Sequence, residues 1–362
     1  MKIKDIKIGF LTIPYKKPFK TSVRTIVSSD NILVKVITEE GTAGFGAISP
    51  TAVITGDTKG AIVGAIEEHI KKNIIGLEIE NLEEVMVRLN QSLVGNTSAK
   101  AVVDMALYDL YGKLYKAPLY RLLGGYRSEL VTDMTISVND PEVMARDALE
   151  AVEKGFSILK IKLGKDSDID YSRMKAIRDA VGTDIMIRID ANQGWKPKEA
   201  VRFLRRLEDL DLKIDLVEQP VAAHDLRGMK YVTENVDIPV LADESVFSPA
   251  DALKIIEMGA ADLINIKLMK AGGIYNALKI CAVAETYGVE CMIGCSSEGL
   301  IGIAAAAHLA AARAVITRYD LDSPLLRNED NVAGGLVYTG EKISFLEEPG
   351  LGITMVEGVF ND

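Results

Sequence analysis

Short runs of apolar residues recur at nearly even intervals from about residue 130 onward. They lie about 24–29 residues apart, near 131–137, 157–163, 185–190, 214–218, 238–243, 262–267, 289–294 and 315–320. Stretches with helical periodicity separate most of them, such as Pro141 to Lys154 and Lys198 to Leu210. Eight strand-like runs alternating with helices predict an α/β fold, a (β/α)8 TIM-type barrel over residues 128–324. A doubly wound sheet, the alternative, does not need eight units, and this region has no Gly-x-Gly-x-x-Gly fingerprint.

The first third of the chain has a different pattern. Met1 to Ile13 and Asn31 to Thr38 alternate apolar and polar residues, and Glu40 to Gly44 is a turn signal. Helical periodicity follows, near residues 58–73, 81–93 and 97–115. These elements predict an α+β capping domain over residues 1–127. The strand-like tail, about residues 325–362, is expected to return to this domain and complete it.

The composition is typical of a globular enzyme, and the charge limits the kinds of partner that the protein could bind. The net charge of −10 argues against nucleic acid or an anionic membrane surface as a general partner. The three cysteines show no metal-type pairing pattern and fit a reducing compartment. Since the N-terminus lacks an apolar signal core and no long apolar segment follows, we expect a cytoplasmic protein.

Three of the predicted barrel strands end on an acidic residue. Asp190, Glu218 and Asp243 close successive apolar runs and lie about 28 and 25 residues apart. Because the carboxyl ends of barrel strands share one face, these carboxylates should converge there. Such oxygen ligands suit a hard cation, foremost Mg2+ with Mn2+ as the alternative, and the absence of His and Cys argues against zinc. Helix caps or ion pairs at the barrel rim are the structural alternative for each acid.

Lysines flank these acids on neighbouring strands. Lys160 and Lys162 lie two residues apart on one strand, so both point to the same face. Lys267 ends a strand four further on, which in a closed barrel lies across the mouth from Lys162. Ammonium groups buried beside a divalent cation should have lowered pKa values, so that a neutral lysine can act as a base. Two opposed bases are what racemisation or epimerisation needs; a solvated lysine pair is the alternative for Lys160 and Lys162.

The ordered motifs resemble those of a known family, the muconate lactonizing enzyme subgroup of the enolase superfamily. The motifs that carry the resemblance are Lys160-x-Lys162, Asp190-x-Asn192, Glu218-Gln219-Pro220, Asp243-Glu244-Ser245 and Lys267. The resemblance covers essentially the whole chain and includes the α+β capping domain.

The resemblance also implies a role for each of these residues. Lys162 and Lys267 would be the acid/base catalysts, and Lys160 would stabilise charge on the substrate carboxylate. One Mg2+ ion per subunit would be bound by Asp190, Glu218 and Asp243. Asn192 and Glu244 would support these ligands from nearby.

Residues outside this set bear on the substrate. Asp320 and Asp322 end the last predicted strand, where they resemble the Asp-x-Asp with which dipeptide epimerases hold the substrate ammonium group. Arg24, in the predicted capping loop, is similar to an arginine of epimerases acting on L-Ala-L-Glu and could contact a side-chain carboxylate. Other candidates for substrate contact are Thr135, Ser296 and Glu298, and Glu298 could instead orient Lys267. The alternatives are a loop cap for the aspartates, a surface position for Arg24 and a helix-terminal role for Glu298.

The resemblance thus implies a Mg2+-dependent dipeptide epimerase that inverts the α-carbon of the C-terminal residue through an enediolate. L-Ala-L-Glu/L-Ala-D-Glu is the leading substrate pair, and a homo-oligomer is expected. N-acylamino acid racemase, o-succinylbenzoate synthase and muconate cycloisomerase activities are the alternatives at the same site. A non-catalytic ligand-binding barrel is a further alternative, against which the two opposed lysines argue.

Overall fold

The computed structural model begins with a three-stranded antiparallel sheet in which β2 is central. The structure describes residues 1–22, 24–164, 166–210, 212–328 and 331–360. The strands are β1 (Ile3–Lys20), β2 (Thr25–Thr38) and β3 (Ala43–Ile48). Because β3 pairs only with Ile32–Ile37, the distal half of the β1–β2 hairpin projects beyond the sheet. Its tip reaches the parallel sheet described below, where Ser22 Oγ donates to the main-chain oxygens of Ala191 and Asn192 at 3.3 Å.

Helices follow in the regions where periodicity predicts them, and two further short helices lie outside those regions, at residues 52–55 and 119–122. The helical elements are α1 (Ala52–Thr55), α2 (Lys59–Ala65), a π-helical segment (Ile66–Ile70), α3 (Lys71–Ile74), a 3-10 turn (Ile79–Asn81), α4 (Leu82–Gln91), α5 (Thr97–Leu114) and α6 (Leu119–Leu122). The buried helix α5 lies directly on β3 because that strand carries glycine at Gly44 and Gly46. A Cβ atom at either position would overlap the main-chain oxygen of Ala106 or Val102.

The predicted eight-strand pattern is confirmed as one parallel sheet whose strands lie in chain order. The strands are β5 (Met134–Ile136), β6 (Ile158–Lys162), β7 (Met186–Asp190), β8 (Ile214–Glu218), β9 (Val240–Ala242), β10 (Leu263–Ile266), β11 (Cys291–Ile293) and β12 (Ile316–Tyr319). The helices between them are α7 (Pro141–Glu153), α8 (Ser167–Val181), α9 (Pro197–Glu208), α10 (Leu226–Thr233), α11 (Pro249–Met258), α12 (Leu268–Ala271), α13 (Ile274–Tyr287) and α14 (Leu300–Ala312).

The sheet curls around a small core of its own. Four buried side chains from four strands form a cluster separate from the main core: Leu216, Leu241, Leu263 and Met292. The register pairs Lys162 with Asp190, and Asp190 with Glu218, at the carboxyl ends of β6, β7 and β8. Three charged side chains therefore project from adjacent strands at the same end of the sheet.

The apolar run at 131–137 divides between two sheets rather than forming one strand. Its first part belongs to β4 (Glu129–Val131), which pairs with β15 (Lys342–Phe345) of the tail, and only β5 joins the parallel sheet. The remaining elements of the tail are a 3-10 turn (Ser323–Leu326), β13 (Val332–Gly334), β14 (Leu336–Thr339) and β16 (Ile353–Val356). The tail packs on the N-terminal helices, since Leu119 N–H donates to Gly350 O at 2.8 Å.

Helix α14 is almost entirely buried and carries a histidine in its apolar interior. His308 Nδ1 accepts a hydrogen bond of 3.0 Å from the main-chain N–H of Tyr120. The helix has 13 residues. Across the described part of the chain, no helix combines the length and apolar character needed to cross a membrane.

Candidate active site

The three predicted lysines lie buried between the predicted acidic residues. Lys162 Nζ lies 2.5 Å from Asp190 Oδ2. Lys160 Nζ lies 2.6 Å from Glu218 Oε2 and 3.1 Å from Asp190 Oδ2. Lys267 Nζ lies 2.7 Å from Asp243 Oδ2 and 3.6 Å from Glu218 Oε1. The strand ends thus bring together all six residues that the sequence singles out as catalysts or metal ligands.

The carboxylates dominate the electrostatics of two of these lysines. Burial lowers the pKa of Lys160, but Asp320, Glu218 and Asp190 outweigh burial and raise it well above its ordinary value. Burial likewise lowers the pKa of Lys267, and Asp243 and Glu218 reverse the effect. The lowering expected from the sequence applies to lysines beside a bound divalent cation and stays a prediction; the carboxylates alone act in the opposite direction.

The acidic groups respond unequally to the same environment. Burial raises the pKa of Asp190, but Lys162, Lys160 and Lys267 outweigh it and lower the pKa to about 2. Burial and then the Asp190 charge raise the pKa of Glu218 to about 7. Burial, with Asp243 and Asp190 next in size, raises the pKa of Glu244 to about 8. This excess of buried negative charge favours a cation at the site.

Unpartnered buried oxygens test whether a metal ion fits. Asn192 Oδ1 and Glu244 Oε2 are buried without a hydrogen-bond donor. Glu218 Oε2 and Asp243 Oδ1 also lack a donor in hydrogen-bond geometry, although a lysine ammonium lies 2.6 Å from each. Buried acceptors normally find a partner, so this set of carboxylate and amide oxygens fits a hard divalent ion. Asp190, Glu218 and Asp243 could hold Mg2+, and Asn192 bonds Glu244 at 3.3 Å beside them.

Two buried residues that sequence reasoning missed complete this cluster. Asn265 Nδ2 donates to Glu218 Oε1 at 2.8 Å, which orients that carboxylate. Lys270 Nζ lies 2.6 Å from Asp243 Oδ1. The signal was its position three residues after Lys267, in the short helix α12 that follows the same strand end.

Asp320 and Asp322 lie next to this cluster, at the end of β12. Asp320 Oδ2 accepts from Lys160 Nζ at 2.6 Å, and Asp322 Oδ2 accepts from the Thr135 main-chain N–H at 2.7 Å. Ligand-type atoms of Cys295, Asp320 and Asp322 lie within 4.8 Å of one another. A thiol whose pKa burial raises well above its usual range is a poor partner for Mg2+. The two carboxylates suit an organic ammonium group instead.

A cavity, here called the polar cavity, joins the two groups of residues. Its lining includes Arg24, Thr135, Lys162, Asn192, Lys267, Ser296, Asp320 and Asp322. Arg24 lies at the turn between β1 and β2, and burial lowers the pKa of its guanidinium. Ile54, in the short helix α1, also lines the cavity. The structure thus places almost every predicted substrate-binding residue around one space.

Glu298 takes a different position from the other candidates. It is buried, and its Oε2 accepts from the Ser296 main-chain N–H at 2.5 Å. Next to it, Ser297 has a φ of 95°, and its main-chain oxygen accepts from Ser29 Oγ at 2.6 Å and from Arg327 at 2.9 Å. Glu298 therefore fixes the strained loop that presents Ser296, while Lys267 pairs with Asp243.

Both parts of the chain match known families. Residues 6–124 match the family described as "Mandelate racemase / muconate lactonizing enzyme, N-terminal domain". Residues 143–359 match the family described as "Enolase C-terminal domain-like". The two matches cover most of the chain.

Full-length relatives agree with these families. The L-Ala-D/L-Glu epimerase of Clostridium acetobutylicum is 57% identical over 361 residues, which is 100% of each chain. The hydrophobic dipeptide epimerase of Enterococcus faecalis is 46% identical over 358 residues, which is 98% of this chain and 100% of the relative. Among solved structures, the substrate-liganded L-Ala-D/L-Glu epimerase from Bacillus subtilis gives a TM-score of 0.97 at 47% identity, with 100% of each chain covered. The E. faecalis dipeptide epimerase with Mg and L-Leu-L-Tyr gives 0.95 at 45%, covering 98% and 100%.

Proposed function

Since the chain belongs to the mandelate racemase/muconate lactonizing enzyme family of the enolase superfamily, we propose that it is a Mg2+-dependent dipeptide epimerase. The reaction inverts the α-carbon of the C-terminal residue, and L-Ala-L-Glu/L-Ala-D-Glu is the leading substrate pair. One observation carries the proposal: Lys162 and Lys267 line the same cavity as Asp320 and Asp322. Two bases and a site for an ammonium group therefore face one bound molecule.

We also propose the division into domains that the sequence predicts. The catalytic unit is a (β/α)8-type barrel over residues 128–324, and residues 1–127 with the tail form its capping domain. Closure of the barrel is supported by a 3.3 Å hydrogen bond from Asp133 N–H, just before β5, to Tyr319 O in β12. Capping is supported by the Ser22 hydroxyl at the β1–β2 tip, which bonds main-chain oxygens that follow β7. A cytoplasmic location and a homo-oligomeric assembly stay predictions.

The lysines supply the proton transfer. A proton α to a carboxylate is very weakly acidic, because its removal adds a second negative charge to the same group. The lysine on one face of the carbon takes this proton in its neutral form, and the opposite lysine, as an ammonium group, gives a proton to the other face. Contact with a buried carboxylate holds the side chain in position, as Asp190 does for Lys162, so that little rearrangement is needed to reach the carbon.

Stabilisation of the developing charge comes from the cationic surroundings. Lys160, with its ammonium group 2.6 Å from both Glu218 and Asp320, is placed to face the substrate carboxylate as it becomes an enediolate. Asp190, Glu218 and Asp243 would hold Mg2+, which when bound supplies positive charge close to the same oxygens. Asn192 and Glu244 support that set of ligands.

Two groups of the polar cavity orient the dipeptide. Asp320 and Asp322 bind the α-ammonium group of the N-terminal residue, and the Thr135 N–H holds Asp322 in place. Arg24 faces the side-chain carboxylate of the C-terminal residue, for which a guanidinium is well suited. Both contacts fix the α-carbon between the lysines.

Exchange of the α-proton tests the proposal directly. The protein would be incubated in D2O with a dipeptide library, once with Mg2+ and once after treatment with a chelator. We expect deuterium at the α-carbon of the C-terminal residue and formation of the L,D-dipeptide, both dependent on the ion. Absence of deuterium from every dipeptide in the presence of Mg2+ would refute the proposal.

A further inference from the structure

A second cavity, here called the side cavity, lies beside the polar cavity. It opens between residues 15–20 of the β1–β2 hairpin and helix α7, and its volume is about 390 Å3. That volume falls in the range of small-molecule sites, roughly 300–1,000 Å3. The polar cavity has about 60 Å3, which is room for only a few water molecules. A dipeptide that bridges the lysines and the aspartates therefore needs space beyond the polar cavity.

The two cavities share one wall. Tyr15, Phe19, Thr135 and Leu326 line both of them, whereas Arg24 lines only the polar cavity. The rings of Tyr15 and Phe19 stack with their centroids 5.5 Å apart. Thr135 also donates its main-chain N–H to Asp322. The side cavity thus adjoins the end of the site where the substrate ammonium group would bind.

We propose that the side cavity is the pocket for the side chain of the N-terminal residue and that it takes large apolar side chains. The inference rests on the proposed function and deepens it. The C-terminal side chain points to Arg24 in the polar cavity, and the N-terminal side chain passes Thr135 into the side cavity. The proposed enzyme consequently acts on dipeptides with bulky N-terminal residues as well as on those that begin with alanine.

The lining determines which side chains the pocket accepts. Its inner wall is apolar and includes Met134, Ile136, Val143 and Leu325. Its rim is cationic, with Lys16, Lys17, Lys20, Arg146 and Lys154. The two acidic residues of the lining, Asp147 and Glu150, lie 2.9 and 3.2 Å from Lys17 Nζ, and the five cationic residues of the lining outnumber them. The apolar inner wall favours an uncharged side chain, and the excess of cationic over acidic residues in the lining repels a cationic one.

Norleucine and lysine at the N-terminal position give a matched comparison of this selectivity. The two side chains have similar length and differ chiefly in the terminal ammonium group. We expect kcat/KM for L-norleucyl-L-Glu to lie within about tenfold of that for L-Ala-L-Glu, and L-Lys-L-Glu to be at least about tenfold poorer than the norleucyl substrate. Equal use of the lysyl and norleucyl substrates overturns the inference, as does rejection of the norleucyl substrate.

A substitution within the pocket tests its position. Val143→Phe fills the side cavity from α7, and Leu149→Phe adds an aromatic ring to the same helix at an exposed position outside the cavity. Val143→Phe should lower the ratio of kcat/KM for L-norleucyl-L-Glu to that for L-Ala-L-Glu by about tenfold or more. Leu149→Phe should leave this ratio as in the parent protein, and an equal ratio in both variants overturns the inference. If the parent protein does not epimerise L-Ala-L-Glu or any other dipeptide, the proposed function itself fails.

Discussion

Lys162 Nζ lies 2.5 Å from Asp190 Oδ2, and the two residues are direct partners in the register of the parallel strands β6 and β7. The strand pairing itself therefore brings a proposed base to a proposed metal ligand. Lys267 reaches its own partner, Asp243, from the residue that directly follows β10. Both proposed bases thus lie at strand ends, on different strands, and each can be replaced without the other.

Replacing either proposed base should strongly slow epimerisation but leave exchange of the α-proton in one of the two epimers. Lys162→Met or Lys267→Met should lower kcat by about 10²–10⁴-fold, the usual contribution of a positioned acid or base. In each variant the remaining lysine should still exchange the α-proton of the one epimer that it faces. Mass spectrometry of L-Ala-L-Glu and L-Ala-D-Glu in D2O measures this. Exchange from the same epimer in both variants would contradict the assignment of opposed bases.

Removing one negative charge from the ammonium site should discriminate between free-amine and acylated substrates. Asp322→Asn keeps an acceptor for the Thr135 N–H but loses the carboxylate charge. We expect kcat/KM for L-Ala-L-Glu to fall about 10²-fold, in line with the loss of a charge-assisted contact of ~3 kcal/mol.

N-acetyl-L-Ala-L-Glu provides the control for this variant. It has no ammonium group, so its kcat/KM should change little between the parent protein and Asp322→Asn. A parallel loss for both substrates would show that Asp322 acts only through the loop it holds. Preference of the parent protein for the acylated compound would favour the N-acylamino acid racemase alternative.

The positions of the catalytic elements follow from the sequence because each charged residue ends an apolar run. In a parallel sheet, that local pattern is sufficient to bring side chains from distant parts of the chain to one face. Asp190, Glu218 and Asp243 could be located in this way without knowledge of any loop. Asp320 could be placed at the site by the same argument, since it directly follows β12.

Features that depend on packing between elements were not accessible from the sequence. The pattern at 131–137 could not show that β4 would leave the barrel, because pairing with β15 is decided by the tail. Ser137 shares the strand-like pattern of Thr135, yet it lines the side cavity and not the polar cavity. The raised pKa values of Lys160 and Lys267 among their carboxylates also depend on distances between strands that no sequence contains.

Arg24 should set the preference for an acidic C-terminal residue. Arg24→Met removes the guanidinium from the polar cavity and keeps an apolar side chain there. We expect kcat/KM for L-Ala-L-Glu to fall about 10²-fold or more, because the substrate carboxylate loses its charged partner.

L-Ala-L-Met serves as the matched control for Arg24, since its side chain has nearly the length of glutamate and no charge. Its kcat/KM should stay within about threefold in Arg24→Met. The measurement compares initial rates for both dipeptides by polarimetry. An equal fall of kcat/KM for both dipeptides would show that Arg24 supports the folding of the hairpin rather than recognition of the substrate.

His308 should make the fold sensitive to mild acid. Burial in α14 lowers the pKa of its imidazole from 6.5 to about 3, so that the folded protein keeps it neutral. Below about pH 6.5 the imidazole is protonated in the unfolded chain but stays neutral in the folded chain. Its contribution to the free energy of unfolding is therefore complete above pH 6.5 and is lost as the pH falls toward 3. Over that whole interval the loss is on the order of 5 kcal/mol.

His308→Asn tests this acid sensitivity, because it retains an acceptor for the Tyr120 N–H but cannot be protonated. Its free energy of unfolding should therefore fall less between about pH 7.5 and pH 5 than that of the parent protein. Thermal or urea unfolding at both pH values measures the difference, and equal acid losses in the two proteins would show that the burial of His308 does not control this response.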